Sequence, residues 1–140
     1  MSFFSSSLVA AEHSSKAPSI DGYSPVSYFT VNKAEKGSPD FTVEHKGRIY
    51  YLTSVEQVEL FYKNPEKYRP RFDVCPYSLS LGKRVPLDPT NFKVFGDTLL
   101  LFHKSEEVDG LALWNLGEPG LSEADLLKRA EKQYNLLKWD

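Results

Sequence analysis

The stretch from Asp40 to Tyr68 constrains the fold of this chain more than any other part of the sequence. Apolar and polar residues alternate on both sides of Lys46-Gly47, which is the pattern of two antiparallel strands joined by a two-residue turn. After Ser54 the apolar residues take a helical spacing, which ends at Asn64-Pro65. The stretch therefore predicts a β-hairpin followed by a short helix.

The two-residue turn also fixes the register of this hairpin, because it decides which residues lie opposite one another. The expected pairs are His45 with Arg48, Val43 with Tyr50 and Phe41 with Leu52. In the helix that follows, Ser54 and Gln57 have the spacing of a capping box. We expect its buried stripe to contain Val55, Val58, Phe61 and Tyr62.

The rest of the chain supplies further short elements. Residues 24–29 and 76–81 have the start signals of short helices, and a second hairpin is predicted over 92–103 with its turn at Gly96-Asp97. The second strand of that hairpin is apolar on both faces, which indicates a central strand. Ser105 is expected to cap a helix from Glu106 to about Asn115.

A longer helix is predicted at the C-terminus. Ser122 and Asp125 have capping-box spacing, and the helix should extend to about Trp139. Its apolar stripe contains Leu126, Leu127, Ala130, Tyr134 and Leu137. Such a helix needs a surface that buries this stripe, either the chain's own sheet or a partner chain, so a monomer and a homodimer both remain open.

These elements predict an α+β fold: a small antiparallel sheet built from two β-hairpins, flanked by short helices, with a longer C-terminal helix. The Ser-rich residues 1–20 are expected to form a flexible N-terminal arm. Residues 21–140 are expected to form a single domain, with a C-terminal helical extension over about 105–139.

Composition limits the class of partner. The 140 residues carry a formal net charge of −2, and the absence of a basic stripe argues against nucleic acid. No apolar run approaches the roughly 20 residues of a membrane span. The first residues lack a positively charged leader, which favours a cytoplasmic protein, although a trimmed signal for export to the periplasm or beyond stays an alternative.

Several ordered motifs resemble one known family. The segment GYSPVSYF (residues 22–29), the hairpin with its helix and Asn-Pro stop, and Cys75-Pro76-Tyr77-Ser78 are similar to stand-alone YHS-domain proteins. The resemblance covers roughly residues 20–115 and implies a small α+β domain. It brings no catalytic residue, so we expect a protein that is not an enzyme.

The resemblance also bears on metal binding. Metal-handling members of the family carry cysteines at the positions that match Ser27, Thr53 and Gln57. A neutral hydroxyl or amide cannot replace a thiolate as a ligand for a soft ion. We therefore expect no cofactor, with Cu or Zn bound by His45, Cys75 and His103 as the alternative.

The favoured function is a non-catalytic binding module that holds a small ligand or a partner in an aromatic-lined cleft. The aromatic content of 14% supplies candidates within the family-like segments, since a tyrosine combines apolar area with a polar tip. The expected lining residues are Tyr23, Tyr28, Tyr51, Tyr68, Cys75 and Tyr77.

Cys75 gives an alternative of another class. It precedes Pro76, the expected first residue of a helix whose N-terminus would favour a thiolate, and Arg71 is near in sequence. The alternative function is therefore a thiol-dependent redox or transfer enzyme, which requires that Cys75 is exposed. The other reading is that this lone cysteine is a small buried apolar residue.

Overall fold

The computed structural model describes residues 17–137 of the chain. Two hairpins alternate with short helices, and a 15-residue helix completes the fold. The elements are α1 (Ser27–Thr30), β1 (Ser38–His45), β2 (Arg48–Leu52), α2 (Val55–Lys63), α3 (Pro65–Tyr68), α4 (Pro76–Ser80), β3 (Phe92–Phe95), β4 (Thr98–Leu101), α5 (Gly110–Leu116) and α6 (Glu123–Leu137). The predicted α+β class is confirmed, and each hairpin forms its own two-stranded antiparallel sheet.

Part of the predicted N-terminal arm lies outside the described residues. These are residues 1–16, and residues 138–139 at the end of the predicted C-terminal helix also lie outside. Of the predicted arm, residues 17–20 are described, and Ser19 and Ile20 begin a tight turn that ends at Gly22.

The first hairpin turns at Lys46-Gly47, as predicted. Both residues have positive φ, 51° and 79°, which is the conformation of a type I′ turn. The pairs His45–Arg48 and Val43–Tyr50 are confirmed. The pair Phe41–Leu52 is wrong, because an irregularity between Ser38 and Thr42 shifts the register and places Ser38 opposite Leu52.

The second hairpin contains the most buried strand. Leu99, Leu100 and Leu101 of β4 are each at most 1% exposed. The strand pairs with β3 on one side, and on the other Pro70 forms a parallel bridge with Leu99. Backbone contacts on both sides agree with the central position that the apolar run predicted, although the strand ends at Leu101 rather than at residue 103.

Helix α2 begins where the sequence indicated, but its buried face is narrower. The Ser54 hydroxyl accepts a hydrogen bond from the backbone N–H of Gln57 at 3.2 Å. Phe61 is fully buried. Val55 and Tyr62 are 58% and 69% exposed, so their place in the buried stripe was wrong. The buried face is centred on Gln57 and Phe61, and the helical period turns Val55 and Tyr62 away from it.

The helix after the second hairpin begins later than predicted. Asp109, not Ser105, caps it, and Oδ1 of Asp109 accepts hydrogen bonds from Leu111 and Ala112 at 3.1 and 3.2 Å. The Ser105 hydroxyl instead accepts from the Val108 amide, which closes a turn before the helix. Ser105 and Asp109 are both suitable N-cap residues and are four positions apart. A β-bridge between Lys104 and Asp109 favours Asp109 as the cap.

Helix α6 confirms its predicted cap and stripe. Ser122 and Asp125 exchange hydrogen bonds of 3.0 and 3.1 Å, the two arms of a capping box. Leu126 and Ala130 are buried, and the stripe packs against Phe72, Leu79 and Trp114. The chain's own core therefore covers this stripe, mainly through α4 rather than a sheet. Among the described helices, none has the length and apolar character to cross a membrane.

Candidate functional site

A cavity of about 230 Å³ opens where five parts of the chain meet. Its walls are the turn at Ser19–Asp21, strand β2, residues 69–73, Pro86-Leu87 and helix α6. Because three arginines line it, we call it the arginine cleft. A second cavity of about 410 Å³ adjoins it and shares residues 69–72 and Tyr134.

The cleft has aromatic walls. Tyr50 is 1% exposed and Phe72 is 4% exposed, so both are held by the core. Tyr134 reaches the cleft from α6, and its ring centroid lies 5.2 Å from that of Phe72 with the planes at 60°. Such tilted aromatic pairs are favourable and fix both rings. Tyr50 and Phe72 therefore back the cleft rigidly, and the half-buried Tyr134 supplies most of the aromatic surface that a ligand can contact.

The lining carries three guanidinium groups and two carboxylates. The cationic lining residues are Arg48, Arg69 and Arg71 and the anionic ones are Asp21 and Asp73, so the lining by itself has a formal charge of +1. Arg69 donates to Glu66 at 2.9 Å, and Arg71 is paired with Glu131. Both glutamates lie outside the cleft.

Arg48 and Asp73 form the ion pair within the cleft, with Nη2 of Arg48 3.3 Å from Oδ2 of Asp73. Asp73 has a second partner, because Nη2 of Arg84 lies 3.5 Å from its Oδ1. Both separations exceed the roughly 2.7–2.9 Å of a strong charge-assisted hydrogen bond. One carboxylate is thus shared loosely between two guanidinium groups.

The hydroxyl of Tyr134 lies within this set of charges. Burial raises the pKa of Tyr134, and the carboxylate of Asp73 raises this pKa further, while Arg48, Arg84 and Arg69 act in the opposite direction. Since the net effect is upward, the phenol stays protonated at neutral pH. It can donate a hydrogen bond to a ligand.

One wall of the cleft is strained. Ile20 and Asp21 have φ of 48° and 56°, in the left-handed region that a β-branched residue rarely adopts. The turn is held by a hydrogen bond from the Lys36 ammonium to the Asp21 carbonyl at 2.8 Å and by one from the Gly37 amide to the Gly22 carbonyl at 2.7 Å. Strain of this kind concentrates at functional sites, which makes the turn part of the candidate site.

The tyrosines that the sequence proposed as cleft residues lie elsewhere. Tyr28 is buried beside Leu99, with Tyr23 packed against the same cluster. Tyr68 belongs to the core under the first hairpin, Tyr77 packs near α6, and Tyr51 lies against Gly22. None of the five lines the arginine cleft or its neighbour. The structure does not gather them, and the aromatic residues of the cleft are Tyr50, Phe72 and Tyr134.

Cys75 is a core residue, completely buried among Leu79, Phe102 and Trp114. The start of α5 packs on it so closely that a β-carbon at Gly110 would lie 2.9 Å from the Cys75 Sγ. The thiol-dependent alternative required an exposed thiol, and this burial contradicts that requirement. Cys75 also does not line the arginine cleft.

The alternative metal ligands are not assembled either. Nε2 of His45 lies 2.7 Å from Glu66, whereas Nδ1 of His103 donates to the Pro86 carbonyl at 3.0 Å. Among residues 17–137, no three His, Cys, Asp or Glu side chains form a group that could hold a metal ion. The set of His45, Cys75 and His103 is therefore not a site in this structure.

Ser27, Thr53 and Gln57, which the resemblance to YHS-domain proteins predicts to correspond to cysteines in metal-handling members, take part in one buried polar network. The side-chain Nε2 of Gln57 donates a hydrogen bond to the Ser27 hydroxyl at 2.9 Å. Its carbonyl oxygen accepts from the Thr53 backbone amide at 2.9 Å and from the Ser24 hydroxyl at 2.6 Å. Ser27 in turn donates to Glu35 at 2.8 Å. These groups satisfy one another, and their evident role is to join α1 to the start of α2.

Sequence reasoning missed the residues of the arginine cleft. Arg69-Pro70-Arg71 follows α3 directly, and Arg48 starts the strand that carries Tyr50. A pair of arginines on either side of a proline was a usable signal, since the rigid ring separates their side chains. Its partners on α6 are 60 or more positions away in the sequence, and only the fold brings them near.

Comparison with known proteins gives no relative. No protein-family model matches the chain, and no curated protein or solved structure matches it significantly.

Proposed function

We propose that the chain is a non-catalytic binding module of YHS type, which holds a small ligand in the arginine cleft. The observation that carries this proposal is the cleft itself. Rigid aromatic surface and three guanidinium groups converge on one cavity from separate parts of the fold. Apolar walls with a few placed polar groups are the usual composition of a small-molecule site.

The size of the cavity indicates a small occupant. Its volume of about 230 Å³ is below the roughly 300–1,000 Å³ of typical drug-sized pockets. A single ring with one or two substituents suits it. The ring would contact Phe72 and Tyr134, whose mutual packing leaves little entropy to lose on binding.

The chemistry of the lining favours binding over catalysis. The described lining contains no histidine and no cysteine, so it offers no base of the commonest kind and no thiol nucleophile. The raised pKa of Tyr134 keeps the phenol neutral, which suits a hydrogen-bond donor more than a base at neutral pH.

The family resemblance supports the YHS part of the proposal. Residues 27, 53 and 57 are far apart in sequence, yet one hydrogen-bond network includes all three. In metal-handling YHS proteins the matching positions carry cysteines that could bind one ion. If this chain has the same fold, residues 27, 53 and 57 must therefore lie close together. In this chain a glutamine and a serine fill that space, so the ligand is proposed to bind elsewhere, in the arginine cleft.

The test is a fragment screen followed by ¹H–¹⁵N NMR on the wild type and on two variants that fill the cleft. Ser19→Trp and Pro86→Trp each place an indole at the wall, and Lys33→Trp is the matched control at an exposed position away from it. We expect fragment hits to shift the amide signals of Arg69, Arg71, Phe72 and Asp73. These hits should be lost in both filling variants and kept in the control. Hits that map elsewhere and survive both fillings would contradict the proposal.

A further inference from the structure

We propose that the ligand of the arginine cleft carries an anionic group, a carboxylate or a phosphate, which binds the guanidinium of Arg48. This inference rests on the proposed function and names the chemistry of the ligand. It follows from how the charges of the cleft are paired.

Arg69 and Arg71, two of the three arginines of the cleft, are paired with carboxylates that lie outside it. Glu66 and Glu131, the partners of Arg69 and Arg71, line the adjoining cavity and not the cleft. Both of those ion pairs can therefore persist while a ligand is bound. Because these pairs neutralise Arg69 and Arg71, and the lining also contains Asp21, the attraction of the cleft for an anion depends on Arg48.

Arg48 is the guanidinium that a ligand can recruit at least cost. Its Nη2 reaches Asp73 at 3.3 Å, and the described residues offer its guanidinium no other hydrogen-bond partner. A guanidinium has five N–H donors in a fixed fork, so most of this donor capacity has no partner among residues 17–137. Carboxylate and phosphate are the groups that match this fork with two parallel hydrogen bonds.

Arg84 explains why Arg48 can leave Asp73. It approaches the same carboxylate at 3.5 Å but does not line the cleft. If Arg48 turns to a bound anion, Asp73 keeps Arg84 as a cationic partner. The Tyr134 hydroxyl, protonated at neutral pH, supplies a further donor on the side of α6.

Three probes test the charge directly by NMR titration: benzoate, its neutral counterpart benzamide, and phenyl phosphate. All three carry the same ring, so differences in affinity report the polar group. We expect benzoate or phenyl phosphate to bind the cleft at least about tenfold more tightly than benzamide, the effect of one charge-assisted pair. Tighter binding of phenyl phosphate assigns a phosphate and tighter binding of benzoate a carboxylate, and either order supports the inference.

Two variants identify the guanidinium. Arg48→Gln should remove the preference for the anionic probes, whereas Lys33→Gln, which removes one positive charge from an exposed loop outside the cleft, should keep it. The Arg48 Nε–H signal should shift in the wild type on addition of the anionic probe. Equal binding of benzoate and benzamide in the cleft, or an unchanged preference in Arg48→Gln, would overturn the inference and leave the proposed function standing. Probe binding that survives Ser19→Trp and Pro86→Trp would instead show that the proposed function is wrong.

Discussion

Replacing Gln57 by methionine should destabilise the protein strongly, because this side chain is the centre of the buried polar network. Gln57 is 8% exposed, and Ser24, its partner at 2.6 Å, is fully buried. Methionine keeps the length of the side chain and removes its hydrogen-bonding groups. The packing is thus disturbed little, and the decrease in the free energy of unfolding measures the contribution of the hydrogen-bond network.

The magnitude follows from what is left without a partner. The Ser24 hydroxyl and the Thr53 backbone amide would both lose their acceptor, Oε1 of Gln57. A buried donor without an acceptor costs about 1–3 kcal/mol. Ser27 loses one donor but keeps its bond to Glu35, so its contribution is smaller. The expected loss in the free energy of unfolding is about 2–5 kcal/mol.

Urea denaturation followed by circular dichroism measures this loss. Glu56→Met is the matched control, since Glu56 is the exposed neighbour on the same helix and its replacement should change stability by no more than about 0.5 kcal/mol. A double-mutant cycle with Ser24→Ala should give a coupling of about 0.5–3 kcal/mol. A cost below about 1 kcal/mol for Gln57→Met would refute the reasoning, because the network would then be open to water.

Three further predictions concern the core, the surface charges and the thiol. Leu126→Ala should lower the free energy of unfolding by about 2–5 kcal/mol, because Leu126 is 5% exposed. The control Leu136→Ala, at a 61% exposed position of the same helix, should have little effect. Equal effects of the two substitutions in urea denaturation would mean that α6 is not docked. Hydrogen bonds from His45 and Arg69 lower the pKa of Glu66 to about 2 from 4.5, so its stabilising contribution is present above about pH 4.5 and is lost as the pH falls towards 2. The urea midpoint of Glu66→Gln should therefore depend less on pH between pH 4.5 and 2 than that of the wild type. An equal pH dependence in the two proteins would show that the ion pairs of Glu66 do not stabilise the fold. Iodoacetamide should modify Cys75 only in the unfolded protein, and rapid modification of the native protein would show that its burial is wrong.

Local signals in the sequence predicted much of the fold. The type I′ turn at Lys46-Gly47 and the capping box at Ser122 and Asp125 depend on residues close together in the chain, and both are present in the structure. The apolar run of β4 likewise predicted a strand with neighbours on both sides.

The errors arose where two local solutions competed or where packing decided. Ser105 and Asp109 are both good caps, and only the bridge between residues 104 and 109 selects the second. The spacing of Val55 and Tyr62 fitted a wide apolar stripe, but the first hairpin covers only the face centred on Phe61.

The candidate site was the least predictable part. Tyrosine content suggested a cleft, yet Tyr28 and Tyr68 are used in separate clusters of the core. The cleft that does form combines Arg48 from a strand, Phe72 from a loop and Tyr134 from the last helix. No spacing in the sequence relates these three, because their proximity depends on how α6 docks.

Native mass spectrometry of the purified protein tests whether the arginine cleft holds a ligand. The measurement compares the wild type with Ser19→Trp, Pro86→Trp and the control Lys33→Trp, each prepared in the same way. We expect a small bound molecule on the wild type and the control, released on denaturation and absent from both variants that fill the cleft. A bound molecule that both filling variants retain, or no bound molecule on any of the four proteins, would contradict the account.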